Sequence, residues 1–174
     1  MQKMLTPAQS AERLWQLLIA IGEIPFPGSP SVSESVPKQL IDGELFLLRL
    51  SVMVFFLQFS RHATWRENGL RVHDLFFISI FDRLSEHNPN YVEYVMQAYP
   101  VRMITYGSAM HPTASTLLSG DPLPTSASVG TSFAVNCGFP SETALCEIGA
   151  MEFTRTFDAI ESLFSQYQVT GENP

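Results

Sequence analysis

The side chains able to do metal or acid–base chemistry in this chain are four histidines (His62, His73, His87 and His111), two cysteines (Cys137 and Cys146) and seventeen carboxylates. Helical proteins often hold metal ions with a glutamate three residues before a histidine, repeated on paired helices. No histidine here stands three residues after a glutamate. His73-Asp74 and Glu86-His87 are adjacent pairs, and adjacent residues do not share a helix face. There is no C-x-x-C, and neither cysteine has a histidine close by in sequence. The expectation is therefore no metal and no cofactor.

Nucleophilic chemistry would need other signals. The chain has no G-x-S-x-G turn and no glycine-rich loop with a phosphate-binding lysine. Cys137, in NCGFPSE, stands just before an expected helix start at Ser141, and the partial positive charge of a helix N-terminus lowers a thiol pKa. His111 would be the nearest base and Asn136 a polar helper. Against that, free cysteine is among the most buried residue types and packs as a small hydrophobe. No catalytic residue is assigned, and the reading leans away from an enzyme.

A third group is basic: Arg61, His62, Arg66, Arg71 and His73, straddling Asn68-Gly69 in a chain of net charge −7. Positive charge at the end of a helix complements its macrodipole, which accounts for Arg61 and Arg66 without a ligand. Carboxylates of the last helix (Glu147, Glu152, Asp158, Glu161) offer internal partners. The functional alternative is a site for an anion or an acidic partner, since arginine forks grip carboxylate and phosphate in pairs.

The elements that must position these residues read mostly as helices. Thr6-Pro7-Ala8-Gln9 has the form of a capping box with proline at the first helical position. Ala11, Leu14, Trp15, Leu18 and Ile21 follow it at helical spacing, and Gly22 can end the run. IPFPGSPSVSESVP, residues 24–37, reads as an irregular surface connection. A second helix is expected from Pro37 or Glu44 to about Arg66, apolar on nearly every face, with Asn68-Gly69 supplying a left-handed turn. A third follows from Leu70 to about Glu86, and a fourth starts at Asn88-Pro89, with Pro100 stopping or kinking it. The last begins near Ser141 and carries the stripe Phe153, Phe157, Ile160, Phe164 and Tyr167. Ala127 to Val135 is a weak candidate strand.

The stretch from 119 to 141 is proline-, glycine- and serine-rich and carries one internal charge, Asp121. It reads as a long irregular loop, with Phe133 and Phe139 as apolar anchors and Cys137 as its thiol, packed on the bundle. Loops of that length within a compact domain are unusual and often functional. The fold class expected is all-α: a single compact helical domain of five or six helices over residues 1–174, with this loop before the C-terminal helix.

Composition narrows the function classes. Charged residues make up 16% of the chain, against about 25% for average soluble proteins. With a mean hydropathy of +0.09, the chain buries a great deal or covers apolar surface with a partner. The negative charge and the lack of any lysine- or arginine-rich run exclude ordinary nucleic-acid binding. Leu45 to Phe59 is apolar but contains Arg49, and it falls short of the roughly 20 residues that cross a bilayer. The N-terminus lacks an apolar signal core, and two cysteines make no disulfide framework, so a cytoplasmic protein with reduced thiols is expected. The resulting expectation is a non-catalytic helical protein that acts through a protein partner or as a homodimer. Binding of an apolar small molecule is the alternative, and a thiol-dependent or metal-assembled enzyme is the third reading.

Overall fold

The computed structural model describes residues 3–23, 32–87 and 89–171. The chain folds as a compact all-α protein. Its elements are β1 (Lys3–Leu5), α1 (Pro7–Glu23), α2 (Lys38–Phe59), α3 (Ala63–Glu67), α4 (Gly69–His87), α5 (Pro89–Met110), a 3-10 turn (His111–Thr113), α6 (Ala114–Ser119), α7 (Leu123–Asn136), α8 (Thr143–Gln166) and β2 (Tyr167–Val169). The capping box forms at the start of α1: the Thr6 N–H donates to Gln9 Oε1 at 3.0 Å and the Gln9 N–H to Thr6 Oγ1 at 3.2 Å. Most of the expected connection at 24–37, together with the Asn88 cap, lies outside the described residues.

α2 is the centre. Fourteen of its 22 residues are buried, because other helices surround it on most sides. It runs parallel to α8, as the successive pairings Arg49–Glu152, Phe56–Phe157 and Arg61–Glu161 require. It also runs parallel to α5, whose Arg102 meets Glu44 near the start of α2 while Met103 to His111 flank Phe55 and Phe59 near its end. The stripe Phe153, Phe157, Ile160 and Phe164 is buried in this core. Most of the apolar girth of α2 and α8 is thus satisfied within the chain, with Phe59 and Met151 left exposed.

α2 ends earlier than its pattern suggests, at Phe59 rather than near Arg66. Ser60 takes an extended conformation and its Oγ accepts the His62 N–H at 3.0 Å, a local turn that competes with continued helix. The break lets α3 swing Trp65 inward, where it stacks on Phe164 at 4.1 Å and donates from Nε1 to the Tyr167 carbonyl at 2.9 Å. Gly69 does not supply a left-handed turn; positive φ occurs only at Gly120 and Gly138 among the described residues. Its role is close approach, since a Cβ there would collide with the Leu57 carbonyl oxygen. α5 continues through Pro100. The hydrogen bond forfeited is to the carbonyl of Met96, and both residues are exposed, so water can take the place of the lost donor.

The largest departure from expectation is the stretch 119–141. It is no loop and no strand: residues 123–136 form α7, which packs antiparallel along α8. Ser, Thr, Gly and Pro make its local propensity poor, and tertiary packing overrides that. A Cβ on Gly130 would run into the Cys146 carbonyl and lie 3.1 Å from Ala150 Cβ, while one on Gly149 would lie 2.5 Å from Phe133 Cβ. The two glycines let the helix backbones approach more closely than any larger residue permits. Phe133 is fully buried by this approach and Phe139 partly so. Closing turns at Gly120 (φ 99°) and Gly138 (φ 81°) bracket the helix, the second with the Phe139 N–H bonded to the Ala134 carbonyl at 3.0 Å. α3, α6 and α7 account for the elements beyond the five or six expected.

After α8 the chain becomes extended. β2 pairs in parallel with β1, Lys3 opposite Tyr167 and Leu5 opposite Val169, and the Thr170 N–H reaches the Leu5 carbonyl at 2.8 Å.

Candidate functional site

The buried charges come first, because an unpaired one would mark a site. Glu44 is fully buried; the Arg102 Nε–H is shared between its two carboxylate oxygens, each at 2.9 Å, and the Tyr106 hydroxyl donates to it at 2.6 Å. Burial raises the Tyr106 pKa well above the ordinary phenol value, and the neighbouring Glu44 carboxylate adds to this, so the phenol stays a donor. Arg102 also donates from Nη2 to the Asn136 carbonyl at 3.3 Å, which ties α5 to the end of α7. The second buried carboxylate, Glu152, is gripped by Arg49 of α2 and by Arg155 one turn along α8. Both carboxylates are neutralised by arginine inside the fold. Their chemistry is structural: each holds two helices in one register.

The sequence-derived candidates scatter. Arg61 and His62 both meet Glu161, at 2.7 and 3.2 Å; Arg66 donates to the Ser60 carbonyl at 3.0 Å; His73 contacts Asp74 at 3.1 Å. Arg71 is exposed on the first turn of α4. Of the last helix's carboxylates, Glu161 serves the basic group, Glu152 turns inward, and Glu147 and Asp158 are exposed.

Cys137 is buried at the C-terminal end of α7, the end whose dipole disfavours a thiolate. Burial pushes its thiol from the ordinary 9.0 up to about 12, with the Glu44 carboxylate adding to the shift and Arg102 opposing it. His111 sits at the other end of α7, where Thr113 contacts Thr125 at 2.5 Å. The twelve residues from Thr125 to Cys137 span about 18 Å of helix, so cysteine and histidine do not meet. Iodoacetamide at pH 8 is expected to label Cys146, which is half-buried, and to leave Cys137 unmodified in the folded chain; peptide mass mapping reads both. Labelling of Cys137 as fast as a free thiol would contradict its burial. The same shift makes stability fall as pH rises from 9.0 toward 12, because the unfolded chain releases the thiol proton first.

No protein-family model matches this chain, and no curated protein or solved structure matches it. The site therefore rests on the geometry of this chain alone.

That geometry singles out a recess between the end of α2 and the second half of α5, of about 310 Å³, walled by Phe55, Phe59, Met103 and Ile104 with Gln58, Ser108 and His111 on its edges. Phe59 is 44% exposed and Ile104 71%, so the recess is an open groove and not an enclosed cavity. Between Met103 and Gly120 the sequence has no Asp, Glu, Lys or Arg. The outward positions of α5, Val101, Ile104 and Ser108, and His111 in the turn that follows, are all exposed. A second recess of about 340 Å³, between α1 and α4, differs in being crossed by the Arg83–Glu12 ion pair at 2.5 Å. Among the described residues no group of histidine, cysteine and carboxylate side chains could hold a metal ion, and no helix is long and apolar enough to cross a membrane.

Sequence reading missed the groove because its walls come from helices about 45 residues apart in the chain. One signal was present. The uncharged run from Met103 to Gly120 has more apolar residues than its helix needs to bury, with Ile104 out of phase with the buried Tyr106 and Met110.

Proposed function

We propose that this protein is non-catalytic and works by binding another polypeptide along the uncharged groove between α2 and α5. The observation that carries the reading is the open apolar recess around Phe59 and Ile104 in a chain whose buried carboxylates all have arginine partners. Enclosed ligand sites bury most of a small molecule's surface, whereas an open groove with a projecting apolar lip suits a helix or an extended segment. Both cysteines are free thiols, in keeping with a reducing cytoplasmic setting. A photo-crosslinking amino acid at position 104 tests the reading: covalent adducts with a polypeptide are expected there and not at Ser85, an exposed position far along α4.

A further inference from the structure

We propose that Asn68-Gly69 is a self-modification site: the fold holds it inert, and opening of α3 lets it close to a succinimide that water converts to aspartate or isoaspartate. The site is independent of the α2–α5 groove and of the binding role proposed for it. In the closing step the Gly69 main-chain nitrogen attacks Asn68 Cγ, and the Nδ2 amine leaves as ammonia with the proton of that nitrogen. One water molecule then opens the ring at either carbonyl. Glycine in the second position leaves the attacking nitrogen least shielded, since no Cβ flanks it. The pair is present in the sequence whatever the fold does, so the structure decides when it reacts.

Three features hold it back. Asn68 Nδ2 donates to the Thr64 carbonyl at 2.8 Å, which turns the amide back along α3. At a ψ of 5° the Gly69 nitrogen is eclipsed with the Asn68 main-chain nitrogen, whereas a five-membered ring needs it eclipsed with Cβ. Rotating that bond would move Gly69, which lies so close to α2 that a Cβ on it would collide with the Leu57 carbonyl oxygen. All three lapse together when α3 leaves its place. α3 has five residues, of which Trp65 alone is buried, held by its stack on Phe164 and its bond to the Tyr167 carbonyl. A helix so short has little stability of its own, so it can open while the rest of the bundle stays folded. Ring opening to isoaspartate adds a methylene carbon to the main chain beside Gly69, where even a Cβ does not fit. That form cannot restore the α3–α4 joint.

Peptide mass mapping of the full chain, aged in mildly alkaline buffer, tests this through the tryptic peptide 67–71, whose only side-chain amide is Asn68. Conversion in the folded chain is expected to be roughly a hundred-fold slower than in guanidinium chloride, the open fraction that a local opening of moderate cost supplies. It should change little with denaturant well below the melt, because a local opening exposes little surface. Trp65→Phe removes the Nε1–H donor and leaves the Tyr167 carbonyl unpaired, and should speed conversion in the folded chain about tenfold. Thr64→Val removes the hydroxyl that accepts the Val169 N–H, and should act in the same direction even if Trp65→Phe loses its fold. A folded chain that converts as fast as the denatured one overturns the inference, because the fold then exerts no hold. So does a pair that stays intact in guanidinium chloride. A folded-state rate that climbs in step with global unfolding, or that neither substitution raises, also overturns it, since α3 is then not the gate.

Discussion

Replacing Arg102 with methionine is expected to cost about 3–5 kcal/mol of stability, the usual penalty for breaking a buried ion pair by removing one member. Glu44 is 0% exposed, and its partners are the Arg102 Nε–H, shared between both carboxylate oxygens, and the Tyr106 hydroxyl. In the variant the Tyr106 hydroxyl remains, but no cation balances the carboxylate. For a chain of this size the loss corresponds to a melting temperature lower by roughly 10 °C. Adding Glu44→Leu to Arg102→Met should restore most of the stability, because an apolar replacement of both partners leaves no buried charge. Thermal and urea melts of the single and double variants read this. A single variant within about 1 kcal/mol of wild type, the range of surface ion pairs, would mean that the pair does not organise the core. Arg61–Glu161 is the useful contrast: the Arg61 side chain is 48% exposed, and its removal should cost no more than about 1 kcal/mol.

The second large effect comes from glycine. Gly130→Ala should destabilise by about 3 kcal/mol, at the upper end for overpacking, because the added Cβ meets backbone and not a side chain that can turn away. α7 and α8 must then separate along the face that buries Phe133. Gly107→Ala, the same substitution in the last turn of α5, meets open space within the chain, and should be neutral or gain up to about 1 kcal/mol from helix propensity and reduced unfolded-state entropy. Opposite signs for one chemical change distinguish packing from propensity. If Gly130→Ala proves neutral, the close approach of α7 and α8 is not a stability determinant.

These two effects also explain which features were legible from sequence. α1 and α8 announce themselves locally: Thr6 and Gln9 satisfy each other's backbone within one turn, and the phenylalanine stripe of α8 repeats at helical spacing. α7 does not, because Thr125, Val129 and Phe133 keep a helical period inside a composition that favours turns. What makes the segment helical is the fit of Gly130 against Cys146, sixteen positions away. No propensity sum contains that contact. The ion pairs were hidden for a similar reason. Glu44 and Arg102 are separated by 58 positions, and Arg49, which argues against a membrane span when read along the chain, turns out to be neutralised by a carboxylate of α8. For the basic group around Asn68, the sequence offers four carboxylates of the last helix as internal partners without choosing among them, and the fold puts Glu161 between Arg61 and His62. The candidate groove needed both α2 and α5 in place before Phe59 and Ile104 could be seen on one surface.

In-cell photo-crosslinking from position 104 bears most directly on the role assigned to this surface. A benzophenone side chain there should yield covalent adducts to polypeptide. Those adducts should disappear when Phe59 is replaced by glutamate, which puts a charge on the opposite wall of the groove. The same probe at Ser85, an exposed position of α4 that does not line the groove, should give none. Adducts at position 104 confined to small apolar molecules, or no more abundant than those at Ser85, would contradict the binding of a polypeptide in the α2–α5 groove.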